Sequence, residues 1–476
     1  MIARVISTPI AAPTAPAGKL PAGTPRRINA DLLAAIGPGP GRDRLASGDV
    51  LVVTTGQQPA LFTGPLYTVH KALSAIALAA RIERERGTPV VPVFWVAGDD
   101  HDFAEANHAA VLGKDGEVVD VVLRERPHEA PQLPLFREIL GSDARVALDA
   151  LDAALPEAEF KPEVRRWLEA TFRADASLAD AGAEALDQML GGRGLAVFRA
   201  HARCAKRAAT PWILKALDQT LPDGLTPVLI EGNLGRDRLR PEGKDFVSRR
   251  SGERFTRAQL EQIAIETPER LSPNVLLRPV IEAALFPTLA YVGGPGEMEY
   301  LPESAPLFKR FGVTPQAHVP RWSGMILEAR VDKVLTKLGL EPQDFATKPG
   351  ELEARLAQAE LPPELAVALN DLRSQIETRY ARIGGEVQRV DPTLERTVQS
   401  ARNAALAGTH DIEKKLIASV KRTQGTVLGQ IARARAALMP NGKPQERVLT
   451  VASFAARYSW SVLDDIAAEV ARWAAQ

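Results

Sequence analysis

Cysteine is nearly absent from this chain of 476 residues, which contains only Cys204. A single cysteine cannot form an internal disulfide, and it cannot supply a cysteine-rich zinc site. Because disulfides persist in oxidising compartments, their exclusion favours a reducing, cytoplasmic location. The sequence shows neither a paired base nor an oxyanion donor beside Cys204, as a nucleophile would need. We interpret Cys204 as a buried residue without a catalytic role.

The chain also lacks an excess of charge and a long apolar run. Lys plus Arg and Asp plus Glu number 59 each, so no overall field attracts nucleic acid or anionic lipid. The most apolar stretches are short and interrupted by charges, which excludes a membrane-spanning helix. The start of the chain is rich in Ala and Pro without the pattern of a signal peptide. We expect a soluble protein that binds neither nucleic acid nor a membrane.

A strand–helix–strand pattern begins after an irregular, Pro- and Gly-rich stretch of about fifty residues. Val50–Thr54 is a short β-branched run, and Leu66–Arg86 carries an apolar stripe at helical spacing. Val90–Val96 is apolar on both faces, as expected of a buried parallel strand. The order predicts a βαβ unit with a right-handed crossover.

Two further strands are predicted at Leu195–Arg199 and Thr288–Val292. Between them, Phe246–Thr256 reads as a hairpin that turns at Ser251 and Gly252. We therefore predict the α/β class, with residues 1–360 forming one doubly wound sheet that helical and hairpin inserts interrupt.

The last third of the chain is typical of long helices. Apolar residues recur at threes and fours from Leu365, and a second such series follows Pro392 as far as Leu438. A single helix over the second series would be roughly 70 Å long, more than one globular core covers. We predict that the two series pair as an irregular coiled coil, with a plain helical bundle as the alternative. Residues 361–476 would form this domain, closed by a helix over 452–473.

The first candidate site is the loop between the first strand and the long helix. Gln57 and Gln58 offer amide groups, and Thr63, Gly64 and Pro65 lead into the helix. Open N–H groups at a helix start attract anions. The spacing of a Walker loop is absent. An ordinary strand-to-helix turn is the alternative interpretation.

The second candidate site is the acidic cluster that follows Val90–Val96. Ligands of open α/β sheets bind at the carboxyl ends of strands, which is where Asp99, Asp100, His101 and Asp102 fall. Such a cluster could orient an ammonium group, hold the imidazole as an acid or base, or bind a metal. No distant His or Cys set has ligand spacing, so we predict no metal. Asp102 has another interpretation, since it precedes Glu105 at the spacing of a helix cap. Asn107 and His108 lie one turn on and extend the cluster.

The third candidate site is a Gly-rich turn after the strand Thr288–Val292. Its glycines would let the backbone approach a ligand closely, and Glu297 could meet a ribose hydroxyl or a cation. A Gly-rich turn alone is weak evidence, but this is the third one at a predicted strand end. Arg199 and His201, at the end of another strand, are further candidates for anion contacts.

At these loops the chain resembles the BshC family, the cysteine-adding enzymes of bacillithiol biosynthesis. The matching segments are TTGQQPALFTGPLYTVHKA (54–72), VPVFWVAGDDHDFAEANH (91–108), LLRPVIEAALFPTLAYVGGPGEMEYL (276–301) and PNGKPQERVL (440–449). The resemblance implies a Rossmann-like core related to class I aminoacyl-tRNA synthetases and nucleotidyltransferases, with connecting-peptide inserts. It also implies a coiled-coil extension that supports a homodimer, and a ligase reaction joining the cysteine carboxyl group to the amine of glucosaminyl-malate.

Carried over residue by residue, the resemblance implies a set of catalytic residues and a set of binding residues. The catalytic residues would be Asp100, His101 and Asp102. The substrate- or nucleotide-binding residues would be Gln57, Gln58, Thr63, Gly64, Pro65, Asn107, His108, Tyr291, Gly293, Gly294, Gly296 and Glu297. The chain departs from the family pattern at Asp99 and around 202–205. It also departs at Gly384 and Gly385, which interrupt a stretch that is a continuous helix in the family.

The chemistry of the implied reaction suggests a nucleotide. A carboxylate is a poor electrophile, and adenylation by ATP is an economical way to activate it on such a core. ATP or another nucleotide is therefore the expected cofactor. The alternatives are an ATP-dependent amino-acid ligase or nucleotidyltransferase with a different acceptor, and a coiled-coil scaffold without activity. Polar groups at all three strand ends disfavour the scaffold.

Overall fold

The computed structural model describes residues 2–8, 20–423 and 425–476. The strands are β1 (Ile2–Ser7), β2 (Leu51–Gln57), β3 (Val90–Val96), β4 (His108–Leu112), β5 (Val118–Val122), β6 (Ala196–Arg199), β7 (Val228–Gly232), β8 (Gly235–Glu242), β9 (Asp245–Ser248), β10 (Arg254–Thr256), β11 (Leu271–Pro273), β12 (Thr288–Gly293), β13 (Ala317–Pro320) and β14 (Gly324–Glu328). The helices are α1 (Ala30–Ala34), α2 (Pro40–Ala46), α3 (Tyr67–Arg86), α4 (Phe103–Ala106), α5 (Asp143–Ala154), α6 (Lys161–Thr171), α7 (Leu178–Leu190), α8 (Arg203–Ala216), α9 (Arg257–Glu266), α10 (Arg278–Leu285), α11 (Pro295–Tyr300), α12 (Ala305–Phe311), α13 (Ala329–Leu338), α14 (Glu351–Ala359), α15 (Pro363–Val390), α16 (Glu395–Thr423), α17 (Gly425–Leu438), α18 (Ala452–Tyr458) and α19 (Val462–Ala474).

The core is a five-stranded parallel sheet in the order β13-β12-β2-β3-β6. This arrangement confirms the predicted α/β class and the βαβ unit of β2, α3 and β3. The first six residues of β2 and all of β3 are buried, which explains why neither strand alternates apolar and polar residues. Because the strands run parallel, the chain segments that follow β2, β3, β12 and β13 meet at one edge of the sheet.

A second sheet of five antiparallel strands, β10-β9-β8-β7-β11, forms the insert before β12. The predicted hairpin is present, with Phe255 paired to Phe246. The insert is larger than the sequence indicated, since it also contains β7, β8 and β11. In β8, buried residues alternate with more exposed ones, which include Arg236 and Arg238. Such a strand has one face on the protein and one face in water.

The first fifty residues contain more regular structure than the sequence indicated. β1 pairs antiparallel with β14, which lies more than three hundred residues later in the sequence. The short helices α1 and α2 bury Leu32 and Leu45 against the core. Residues 9–19 lie outside the described part of the chain. Tertiary pairing with β14, rather than local pattern, makes β1 a strand.

The chain divides into two compact units, Met1–Ala329 with Lys443–Gln476, and Arg330–Gly442. This division differs from the boundary predicted after residue 360. The predicted closing helix is two helices, α18 and α19, which Ser459 separates with a φ of 68°. Both belong to the first unit, where the Arg81 guanidinium donates to the carbonyl of Ala474 at 2.9 Å. The chain thus returns to the core after the helical unit.

The second unit contains the predicted helix pair. α15 and α16 run antiparallel, and the Arg373 Nε donates to Thr409 Oγ1 at 3.2 Å across the pair. Gly384 and Gly385 lie inside α15 without breaking it. The second apolar series begins with a 3₁₀ turn and continues as α16 and α17, with residue 424 outside the described residues. Among the described residues, no helix is both long and apolar enough to cross a membrane.

Candidate active site

A cleft of about 610 Å³ lies along the edge where β2, β3 and β12 end. All the residues that line it belong to the first unit. The predicted site residues that line the cleft are Gln57, Gln58, Asp100, Tyr291, Gly294, Gly296 and Glu297. Members of all three predicted loops therefore meet at one site, as the strand-end rule requires.

The end of the first loop does not line the cleft. Thr63 and Gly64 are buried, and the Leu66 amide donates to the carbonyl of Leu449 at 2.9 Å. Pro65 forms an isolated bridge with Thr450, a residue of the same C-terminal segment. The helix start is therefore not open as predicted, because this segment takes the place that the sequence interpretation gave to an anion.

Asn107, His108 and Gly293 were also predicted as binding residues, and none of them lines the cleft. Asn107 is buried and donates through Nδ2 to the carbonyl of Arg124 at 2.7 Å. His108 is exposed at the start of β4. A Cβ on Gly293 would stand 2.4 Å from Met298 Cε, so this glycine serves packing between β12 and α11.

The acidic cluster after β3 separates into different roles. Asp102 caps α4 and accepts from the Glu105 amide at 3.0 Å, which confirms the capping interpretation. Asp100 closes a turn by accepting from the Asp102 amide at 3.2 Å, and it lines the cleft. His101 lies beside the cleft, where its Nδ1 is 3.4 Å from Nη1 of Arg236. Burial and, secondly, this guanidinium lower the pKa of His101, which favours the neutral imidazole.

Asp99 lines the cleft and pairs with a buried lysine that the sequence analysis did not select. The Nζ of Lys206 lies 2.6 Å from both carboxylate oxygens of Asp99 and donates to the carbonyl of Leu271 at 3.1 Å. Burial lowers the pKa of Lys206, and Asp99 opposes this shift. Asp99 is thus paired with a residue of α8.

Arg199, His201 and Cys204 have no place at the cleft. Arg199 pairs with Asp187 at 2.7 Å, and His201 Nε2 lies 2.9 Å from Oδ1 of Asp180. Arg199 and His201, the two candidates for anion contacts, are thus paired with carboxylates of α7. Cys204 is half-buried and packs against the core, so it is less enclosed than predicted.

Lys71 and Glu297 form an ion pair at the centre of the site. Lys71 is 3% exposed, and its Nζ also donates to the carbonyl of Gly56 at 2.7 Å and to Oε1 of Gln57 at 2.8 Å. Burial lowers the pKa of Lys71, and Glu297 opposes this shift. Burial alone would raise the pKa of Glu297, but Lys71, the Tyr291 hydroxyl and a backbone amide keep it below its usual value. The pair joins the first loop to the third.

A second buried pair lies beneath Tyr291. The Arg278 guanidinium is 4.8 Å from the centre of the Tyr291 ring, and its Nη1 donates to Glu282 at 3.0 Å. The Thr54 hydroxyl donates to the other oxygen of Glu282. Burial raises the pKa of Glu282 to about 7 although Arg278 opposes it. Arg278 also lines the cleft.

A third cation of the cleft, Arg321, follows β13. Its guanidinium binds both oxygens of Glu446, at 2.6 and 2.9 Å, and it donates to the carbonyl of Trp322 at 2.8 Å. The Nδ1 of His70 lies 2.8 Å from Glu446 as well. Burial alone would raise the pKa of Glu446, but His70 and Arg321 hold it at about 2. Glu446 is thus a carboxylate in the folded protein.

Comparison with known proteins places the chain in a family. Residues 42–223 and 228–322 match the N-terminal Rossmann-like domain described for bacillithiol biosynthesis BshC, and residues 324–473 match the C-terminal coiled-coil domain of the same description. The chain belongs to the BshC family. The Rossmann-like core and the coiled-coil region predicted from the sequence are thereby confirmed.

Curated relatives in this family match nearly the full chain. A protein of Salinibacter ruber named "Putative cysteine ligase BshC" is 31% identical over 448 residues, which are 89% of this chain and 81% of the relative. A protein of Solibacter usitatus with the same name is 31% identical over 446 residues, 88% of this chain and 82% of the relative. A solved structure of a "putative arginyl t-RNA synthetase" from Campylobacter jejuni is 10% identical, with 84% of this chain and 92% of the other covered and a TM-score of 0.27.

The cations of the site are the residues that the sequence analysis missed. They are Lys71, Arg236, Arg278, Arg321 and Arg447. Three of them, Lys71, Arg278 and Arg447, lie inside the segments that resemble the BshC family, but outside the loops that follow the strands. Lys71 had a signal of its own, since it is a charge on the buried face of a helix. Arg321 follows a strand that was not predicted, and Arg236 comes from the insert.

Proposed function

We propose that this protein is a cysteine ligase of bacillithiol biosynthesis, which joins the cysteine carboxyl group to the amine of glucosaminyl-malate. The names of the curated relatives and the description of the family support this reaction class. The single cysteine favours the reducing cytoplasm as the place where a thiol product would form.

The observation that carries the proposal is the mixed charge of the cleft. Arg278, Arg321 and Arg447 line it together with Asp100 and Glu105. Cysteine brings a carboxylate and an ammonium group, while glucosaminyl-malate brings two carboxylates and an amine. Guanidinium groups bind carboxylates through paired N–H donors, and carboxylates bind ammonium groups. The cleft thus offers both kinds of partner for both substrates.

Activation of the cysteine carboxyl group belongs to the proposal as well. The cationic lining of the cleft fits a nucleotide phosphate, and ATP when bound would turn the carboxylate into an electrophile. The residues of the chain would bind and orient the acceptor. The imidazole of His101, kept neutral by burial and by Arg236, is suited to take a proton from the sugar ammonium group, and Asp100 is suited to hold that group.

Reconstitution tests the proposed reaction. The full chain is incubated with cysteine, glucosaminyl-malate and ATP, and thiol products are followed by mass spectrometry. We expect a product with the mass of the amide, and no product when ATP is omitted. Product from another amino acid or another acceptor, at a higher rate than from these substrates, would favour the alternative of a different ATP-dependent ligase. Product without ATP would refute the role given to the nucleotide.

His101→Ala is expected to reduce the rate of product formation about a hundredfold by removing the proposed base. The free energy of unfolding should change by less than about 1 kcal/mol, since the side chain is partly exposed. Urea denaturation and the reconstituted assay measure both effects. His108→Ala is the matched control, because His108 is an exposed histidine that does not line the cleft. A loss of folding in step with activity would assign a structural role to His101.

We further propose that the helical unit supports a homodimer. Several apolar residues of α15 and α16 are exposed in the single chain, among them Leu372 at 42% and Ile412 at 49%. Replacing Ile412 and Leu416 with Asp is expected to weaken the dimer, because a charge in a helix seam is dehydrated without a partner. Sedimentation equilibrium measures the association. A monomeric unmodified protein would refute the proposal.

A further inference from the structure

Glu446 belongs to a segment, residues 443–450, that we call the return segment because it leads from the helical unit back into the core. Hydrogen bonds hold this segment in place. The side-chain amide of Gln445 accepts from the Ile326 amide at 2.8 Å and donates to the Ile326 carbonyl at 3.0 Å. The Thr450 amide donates to the carbonyl of Ala110 at 2.9 Å. The return segment is thus held on both sides of Glu446.

Glu446 in turn fixes Arg321. The two side chains are 1% and 3% exposed, and the carboxylate binds Nη1 and Nη2 of the guanidinium. His70 lies 2.8 Å from Oε2, and the Gly324 amide donates to the same oxygen at 3.3 Å. His70 is fully buried and its pKa is lowered by burial, so the neutral ring donates through Nδ1. These bonds leave the carboxylate, and hence the guanidinium, one orientation.

A guanidinium can bind planar anions along two edges, Nη1 with Nη2 and Nε with Nη2. Glu446 occupies the first edge of Arg321. The second edge faces the loop after β12, since Arg321 Nε is 4.0 Å from the place of a Cβ on Gly294. Both Arg321 and Gly294 line the cleft. Among the described residues, no hydrogen bond uses Nε of Arg321.

We propose that Arg321 binds an oxyanion of a substrate through its Nε and Nη2 edge, and that Glu446 is the positioning residue that directs this edge into the cleft. The proposal rests on the proposed function and adds a residue that acts without touching substrate. A carboxylate matches the spacing of the two N–H groups, and a phosphate shares this chemistry. The oxyanion belongs to the malate group, to cysteine or to a nucleotide, and the test has one arm for each.

Calorimetry on the full chain uses three probes: L-malate, cysteine and ADP. At least one probe should bind the unmodified protein and bind Glu446→Gln about tenfold more weakly or worse, because the neutral amide no longer fixes the guanidinium. In the reconstituted ligase, the KM of the corresponding substrate should rise while kcat changes little. Glu446→Asp should restore part of the affinity. Glu353→Gln removes an ion pair with Arg435 in the helical unit and is the matched control.

Arg321→Lys keeps a charge beside Glu446 but loses the paired donors, so it tests the proposal even if Glu446→Gln fails to fold. The same probe should bind it about tenfold more weakly. Unchanged affinity for all three probes in a folded variant, or the absence of binding to the unmodified protein, would overturn the proposal. Calorimetry does not depend on turnover. Binding at Arg321 without any ligase product would therefore refute the proposed function alone.

Discussion

Lys71→Met is expected to abolish ligase activity and to lower the free energy of unfolding by about 3 to 5 kcal/mol. The substitution removes the cation that pairs with Glu297 and the donor that Lys71 offers to the carbonyl of Gly56. Both groups are shielded from water, so their lost interactions are not replaced. Urea denaturation and the reconstituted assay measure the two effects on the same preparation.

A double variant separates charge from function. Lys71→Met with Glu297→Gln removes both charges, so we expect most of the lost stability to return while activity remains absent. Lys161→Met is the matched control. Lys161 is another buried lysine, 8% exposed and paired with Glu157, on α6 and away from the cleft. Full activity in Lys71→Met would show that the ion pair is only structural.

Gly64→Val is expected to lower the free energy of unfolding by about 2 to 4 kcal/mol. Gly64 has a φ of 67°, which a β-branched residue adopts only with strain, and its Cβ would stand 3.0 Å from the Cβ of Ala60. The loop is also covered by Leu449 and Thr450, so the backbone has little room to adjust. Thermal and urea unfolding measure the loss.

Gly87→Val is the control for the strain alone. Gly87 follows the last residue of α3 and has a φ of 64°, but a side chain added there would meet open space. We therefore expect Gly87→Val to lower the free energy of unfolding by about 1 kcal/mol. Because Gly64 does not line the cleft, the affinity of folded Gly64→Val for ADP should equal that of the unmodified protein. Weaker nucleotide binding by the folded variant would instead return the loop to the anion site predicted from sequence.

The elements that could be predicted are those whose pattern is local. β3 is apolar on both faces, and α3 carries its stripe at helical spacing, so the βαβ unit followed from Val90–Val96 and its neighbours. The strand-end rule then placed Gln57, Asp100 and Glu297 correctly in one cleft. β1 was missed because its partner, β14, lies more than three hundred residues away in sequence.

The open helix start predicted for α3 was a local prediction, and distant residues cover it. Nothing near Pro65 in sequence shows that Leu449 and Thr450 will cover the helix start. Arg321 and Glu446 were missed for the same reason, since the pair joins two segments that have no common pattern. The sequence alone does not distinguish a charged residue in a buried ion pair from a charged residue that faces water.

By itself, the sequence determined the α/β class, the parallel core, the helical region and the family, because periodicity and ordered motifs survive without knowledge of contacts. Only the tertiary structure decided which polar residues reach the cleft. Lys71 and Arg321 are stabilised there by Glu297 and Glu446, each from another segment of the chain, while Arg278 pairs with Glu282 one turn along its own helix. Burial of a charge depends on a partner within a few ångströms, and that distance is a property of the fold rather than of spacing along the chain.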